Sequence, residues 1–392
     1  MPVSAARKTL VLACAGALMT LALGACSDAD DGENPTSQVT SPDDGGAATS
    51  DAAEETGTED AAADTEMAGE TAGPDHEATS ESPAAAPNPD LPAAPGELVD
   101  VDGHMMHIYC RGEGSPTVLM DTGLGDSSLN FWPLQAQLTA RTRVCTYDRA
   151  GYGWSQSGPE PRSVDQIVTE LGTLLDNAGE EGPYVLVGHS FGGLTMQAFA
   201  QANPDETAGV VLVDSSHPGQ GQALAAVPEV VAVQDAEIAG LANLATQVEA
   251  GVMGPADLLP AAPELPGQLR DQWALLKAQP EALRAAMAEY AALEEGMAAV
   301  GGQGALGDTP LVVIARGIGL AGQLPPEALT SMGLTPEVLE RFDTAWRGLQ
   351  EDLLTLSSNS ELIVAEDSTH YVYLDQPDVV VAAIEQVLAE SS

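Results

Sequence analysis

The chain has 392 residues, with 59 Asp and Glu against 13 Lys and Arg, a formal net charge of −46. So few cations exclude the basic footprint that phosphate contacts need, and with it a nucleic-acid partner. The length allows one sizeable core carrying an insertion, after an N-terminal stretch of different composition.

Arg7 and Lys8 precede an apolar run from Thr9 to Leu23, and Leu23-Gly24-Ala25-Cys26 closes it. A basic start, a short apolar run and small residues before a cut site predict an export signal over residues 1–25. The run falls short of the ~20 apolar residues of a membrane span. Leu-Gly-Ala-Cys resembles the bacterial lipobox. That resemblance implies that Cys26 is lipidated, becomes the mature N-terminus and anchors a cell-envelope lipoprotein to the outer face of the membrane. An ordinary signal peptide with an incidental cysteine is the alternative. From Ser27 to Glu97 nineteen Asp and Glu stand among Ala, Ser, Thr, Gly and Pro, with no Lys or Arg. That composition cannot bury enough apolar surface to offset the entropy of ordering, so residues 26–97 read as an acidic, disordered tether.

Residues 98–392 alternate between strand-like and helix-like segments, which predicts an α/β sheet. The strand candidates are Glu97–Asp102, Met105–Cys110, Thr117–Asp121, Arg143–Tyr147, Tyr184–Val187, Gly209–Asp214, Pro310–Ala315 and Glu361–Ala365. Gly103 makes a hairpin of the first two, and helical patterns such as Val164–Asn177 and Val379–Leu388 separate the later ones. Residues 215–308 change to Ala-, Leu- and Glu-rich helical stretches broken by Pro, a helical cap inserted after the sixth strand. Trp273, Trp346 and the Leu/Met-rich cap are compatible with an apolar pocket, although helix-spaced apolar residues also simply pack.

Val185-Leu186-Val187-Gly188-His189-Ser190-Phe191-Gly192-Gly193 runs a short apolar strand into Gly-x-Ser-x-Gly, with a helical segment from Leu194 to Gln201 behind it. A serine on so sharp a turn holds its hydroxyl clear of the backbone and needs small neighbours, so Ser190 reads as a nucleophile.

Together with Thr122-Gly123-Leu124-Gly125, Tyr147-Asp148-Arg149-Ala150-Gly151-Tyr152-Gly153-Trp154-Ser155 and Asp367-Ser368-Thr369-His370-Tyr371, this elbow resembles the α/β-hydrolase superfamily over nearly all of 98–392. The resemblance implies a mostly parallel eight-stranded sheet with helices on both faces. It also implies His370, in the loop after the last strand, as the base. For the acid it leaves a choice. Pro310–Gly317 is followed by Ile318-Gly319-Leu320-Ala321, with no carboxylate where many relatives carry one. Asp214, at the tip of the sixth strand, is the preferred acid, with Asp343 and Glu327 as alternatives. The oxyanion hole falls to the backbone N–H groups of Leu124 and Phe191. Asp148 and Arg149 read as a structural turn. No Cys/His cluster has metal-ligand spacing and no Gly-rich loop suggests a nucleotide, so neither metal nor cofactor is implied.

The expected activity is cleavage of a carboxylic ester, or an amide or thioester, of a small molecule through an acyl-enzyme. Acyl transfer to another acceptor, or carbon–carbon cleavage, is an enzymatic alternative; a surface binding protein on a retired hydrolase scaffold is a non-enzymatic one. In the family's sheet the second strand lies beside the fourth, which implies a Cys110–Cys145 disulfide, the alternative being two buried thiols.

Overall fold

The computed structural model describes residues 91–254, 265, 267–302 and 304–391. The export signal, Cys26 and the tether as far as residue 90 lie outside the described residues. The end of the stretch assigned to the tether, Leu91 to Glu97, is part of the folded domain. Leu91 and Ala94 pack with Trp154 and Trp273, the Trp154 indole N–H donates to the Pro92 carbonyl at 2.8 Å, and Glu97 opens the first strand. The physical reason is local composition: Leu91, Pro92, Ala94 and Pro95 supply the apolar surface that the acidic run before them lacks.

One eight-stranded sheet organises the molecule. Its strands are β1 (Glu97–Val101), β2 (His104–Arg111), β3 (Thr117–Asp121), β4 (Val144–Tyr147), β5 (Tyr184–His189), β6 (Thr207–Val213), β7 (Leu311–Arg316) and β8 (Ser360–Ala365), in the order β1-β2-β4-β3-β5-β6-β7-β8. The pairs β1–β2 and β2–β4 are antiparallel and the remaining neighbours parallel. Side chains alternate across the sheet, as the two-residue period of a strand requires. Leu119, Leu186, Leu212 and Val313 face the helices Val164–Ala178 and Phe191–Ala202, through Leu171, Leu174, Met196 and Phe199. Val118, Val185, Val211 and Val312 face the opposite layer, through Leu134, Ile384 and Val387. Strands buried on both faces explain the near-continuous apolar runs of β5 and β6.

After β6 the chain leaves the sheet for the helices Gln220–Leu224, Pro228–Glu249, Gly267–Lys277, Pro280–Ala291 and Leu293–Ala299 before returning in β7. A second helical excursion separates β7 from β8, and its main element is Pro336–Asp352. Thr335 accepts from the Val338 N–H to cap that helix, Pro336 fills its first turn, and Val338, Leu339, Phe342, Trp346 and Leu349 form its buried face. Trp346, named with Trp273 for an apolar pocket, sits on this helix, outside the cap.

Cys110 and Cys145 lie directly opposite each other in the β2–β4 pair and are joined by a disulfide, with Cα atoms 4.0 Å apart and a sequence separation of 35. A loop of that length gives a link worth about 3–4 kcal/mol in the chain-entropy account.

Candidate active site

The carboxyl ends of β5, β6 and β7 converge on one place, and the elbow sits there. Ser190 has φ 53° and ψ −121°, a backbone conformation that a non-glycine residue holds only when its surroundings impose it. Here they do: the Ser190 N–H donates to the Val213 carbonyl, and the Ser190 carbonyl accepts from the N–H groups of Gly193 and Ser216. The flanking glycines are demanded by contact. A Cβ on Gly188 would fall 2.4 Å from the Gly192 carbonyl oxygen, and one on Gly192 would fall 2.3 Å from that of Asp121.

Asp214 follows β6 directly, fully buried and also at positive φ, 39°. Four donors surround its carboxylate. His370 Nδ1 lies 2.6 Å and Arg316 Nη1 2.7 Å from Oδ2, while Trp346 Nε1 at 2.9 Å and the Arg316 backbone N–H at 3.3 Å meet Oδ1. A carboxyl group that only accepts is ionised. Burial pushes its pKa up, but the Arg316 charge and the hydrogen bonds from His370 and Trp346 outweigh burial and hold it well below the usual carboxylate range. Because Asp214 can only accept, Nδ1 of His370 carries the proton and Nε2 keeps its lone pair. That is the tautomer a general base needs.

His189 is buried and donates from Nε2 to the His370 carbonyl at 3.0 Å, which ties the loop after β8 to the elbow strand. Burial, and then the neighbouring His370, push its pKa well below the ordinary histidine value, so it is a neutral strut. Gly123 presses on the same elbow: a Cβ there would lie 3.1 Å from His189 Nδ1 and 3.3 Å from the Ser190 Cβ. The N–H groups of Leu124 and Phe191 have no acceptor among the described residues, as an oxyanion hole requires.

Arg149 fixes this loop from beneath and is itself fully buried. It donates to Asp121 at 2.6 Å, to the carbonyls of Thr122 and Gly123 at 2.7 and 3.0 Å, and to Glu289 of the cap at 2.8 and 3.1 Å. Asp148 accepts from the Ser128 and Trp154 N–H groups and from His107, so it serves the turn.

The structure thus gathers Ser190, His370, Asp214, Leu124 and Phe191 at one end of the sheet. Asp343 is elsewhere: it accepts from the Leu320 N–H and lies 3.4 Å from Arg316. Glu327 is exposed on the helix Pro326–Ser331. The sequence gives no sign of Arg316 and Glu289 at this site, nor of the Trp346 contact with Asp214. An open cavity of about 770 Å³ lined by Asp214, Arg316, Asp343, Trp346 and Arg347 lies behind Asp214, without Ser190 or His370 in its walls. Among the described residues the one cluster of metal-ligating type is Cys110, Cys145 and Glu180, whose sulfurs are committed to the disulfide.

A model of the alpha/beta hydrolase family matches residues 118–383, and the chain belongs to that family. Among curated proteins it is 25% identical to YqjL of Bacillus subtilis, over 73% of this chain and 89% of that one. It is 30% identical to YbdG of the same organism, over 32% of this chain and 39% of that one, so the match spans well under half of that relative. Lipase LipV of Mycobacterium tuberculosis is 36% identical over 28% of this chain and 41% of its own. Of solved structures, a thermophilic esterase from Thermogutta terrifontis aligns with a TM-score of 0.50 at 21% identity, covering 76% of this chain and 99% of that one. A Vigna radiata epoxide hydrolase mutant aligns at 0.55 and 18% identity, covering 75% and 98%.

Proposed function

We propose that this chain is a serine hydrolase that cleaves a carboxylic ester of a small molecule through an acyl-enzyme. The observation that carries the reading is the His370–Asp214 hydrogen bond, at the same sheet end as a strained, partly exposed Ser190. Ser190 Oγ attacks the carbonyl carbon and His370 Nε2 takes its proton. The N–H groups of Leu124 and Phe191 receive the charge that develops on the carbonyl oxygen. His370 then returns the proton to the leaving alcohol, and water repeats the sequence to release the acid. The similarity to a lipase supports the ester class. A serine nucleophile fits an acyl-enzyme, whereas the carboxylate that opens an epoxide forms an alkyl ester; likeness to an epoxide hydrolase extends to the fold alone.

The test has two readouts. A fluorophosphonate probe is expected to label the wild type at Ser190, and p-nitrophenyl esters of increasing acyl length are expected to be hydrolysed with a defined optimum. Labelling without hydrolysis, with the acyl group recovered on an added alcohol or amine, would point to acyl transfer. Absence of both would leave a binding protein on a hydrolase scaffold.

The same reading places the domain outside the membrane on a lipid anchor, supported by Leu23-Gly24-Ala25-Cys26 and the acidic stretch behind it. Metabolic labelling with a fatty-acid analogue is expected to tag the wild type and to spare Cys26→Ser. Equal labelling of the two would remove the anchor.

A further inference from the structure

Arg316 ends β7, where many α/β hydrolases carry their acid. Here the acid has moved to the tip of β6, and the neighbouring strand supplies a cation to meet it. The pairing is fixed by the sheet. Val213 lies opposite Ile314, the Asp214 N–H donates to the Ile314 carbonyl, and the Arg316 backbone N–H returns to Asp214 Oδ1. Nη1 of the same guanidinium shares Asp214 Oδ2 with His370. The guanidinium is 4% exposed and lies over two rings, 5.1 Å from the centroid of Trp346 and 5.6 Å from that of Phe342. Its own carbonyl accepts from Arg347 at 2.6 Å. Side chain, backbone and stacking all restrict Arg316 to this one position.

The electrostatic consequence follows from charge alone. A lone buried carboxylate beside an imidazole favours the imidazolium over the neutral ring. A cation on the same carboxylate oxygen cancels much of that field while leaving the hydrogen bond that orients the ring. We propose that Arg316 is a positioning residue for the Asp214–His370 pair: its guanidinium holds the carboxylate as an anion in line with the ring and sets the pH above which His370 acts as a base. This rests on the serine-hydrolase reading above.

Other charged and titratable groups face the pair, and none takes this role. Asp343 lies on the outer side of Arg316, and Glu340, Glu351 and Arg347 line the open cavity beyond it. His189, buried, and Tyr371, partly buried, stand 4.6 and 5.8 Å from the His370 ring, and desolvation opposes the charged form of each. Lys277 acts from the cap on His189 and is paired with Asp126.

The experiment measures kcat/KM and the rate of fluorophosphonate labelling against pH for wild type, Arg316→Gln and Arg316→Lys, with melting curves to establish that each variant is folded. Glutamine keeps a donor and loses the charge. Its acid limb is expected to move upward by about one pH unit in both readouts, a size that lies between the water and protein limits for a neighbouring unit charge. Lysine keeps the charge and loses the planar fork, so its limb is expected to stay with the wild type while the rate falls. A glutamine limb that coincides with the wild type, whatever the loss of rate, would reduce Arg316 to a structural residue. If the glutamine variant does not fold, the lysine variant still decides, because a displaced limb with the charge retained contradicts the proposal. An unlabelled wild type would instead remove the hydrolase reading, and this proposal with it.

Discussion

Ser190→Ala and His370→Ala are each expected to remove about 10⁶-fold of kcat, and the double variant to be little worse than either, because nucleophile and base act as one unit. The elbow makes the first loss specific. Ser190 is held at φ 53° by backbone bonds to β6 and to the helix behind it, and alanine keeps every one of them. The variant is therefore expected to fold and melt as the wild type does, with only the hydroxyl removed. His370→Ala takes a buried ring from among His189, Tyr371 and Trp346, so a small loss of stability accompanies the loss of rate. Steady-state hydrolysis of the best p-nitrophenyl ester, with fluorophosphonate labelling beside it, checks both. Turnover and labelling that survive in Ser190→Ala would place the nucleophile on another residue.

The elements that were legible in the sequence are those in which local pattern and tertiary demand agree. Each strand candidate has its counterpart in the sheet, because doubly buried strands must be apolar along their whole length and turns of Gly, Pro and Asp must separate them. The elbow was legible for the same reason: Gly188 and Gly192 are where a Cβ would strike backbone, and nothing else fits. What was not legible depends on contacts between distant residues. Arg149 finds Glu289 across 140 positions, and Glu289 reads locally as one more carboxylate in an Ala-, Leu- and Glu-rich helix. Trp346 reaches Asp214 across 132 positions from a helix that no motif marks. Arg316 is the sharpest case. The sequence shows that no carboxylate follows β7, yet it carries no sign that the last residue of that strand turns back onto β6. The tether boundary failed differently, since an acidic composition averaged over many residues conceals an apolar last few that dock.

Asp214→Asn is expected to lower kcat by about 10⁴-fold, the size of effect that a wrong histidine tautomer produces in a serine protease. The four donors around this carboxylate make the reason explicit. An asparagine offers one acceptor oxygen and one amide, where His370, Arg316 and Trp346 all present N–H groups. If the amide nitrogen takes the place of Oδ2, its N–H₂ faces both His370 and the Arg316 guanidinium, and the ring must accept through Nδ1. Nε2 then carries the proton and cannot take one from Ser190. If the oxygen keeps the place of Oδ2, the amide meets the Trp346 and Arg316 backbone N–H groups donor against donor, and in either arrangement the buried Arg316 loses its counter-charge. Removing one partner of a buried pair typically costs about 3–5 kcal/mol, so both arrangements lower the melting temperature. The two losses separate experimentally. Rates measured well below the melting transition report the tautomer, while the melting shift reports the orphaned guanidinium. Asp343→Asn, at a residue that meets the Leu320 N–H and the outer side of Arg316, is expected to leave kcat within about tenfold of the wild type, because a substitution that spares the reacting groups changes at most their surroundings. A loss below tenfold in Asp214→Asn, together with a severe one in Asp343→Asn or Glu327→Gln, would move the acid to one of those residues. Their positions, on the outer side of Arg316 and on an exposed helix, argue against that outcome.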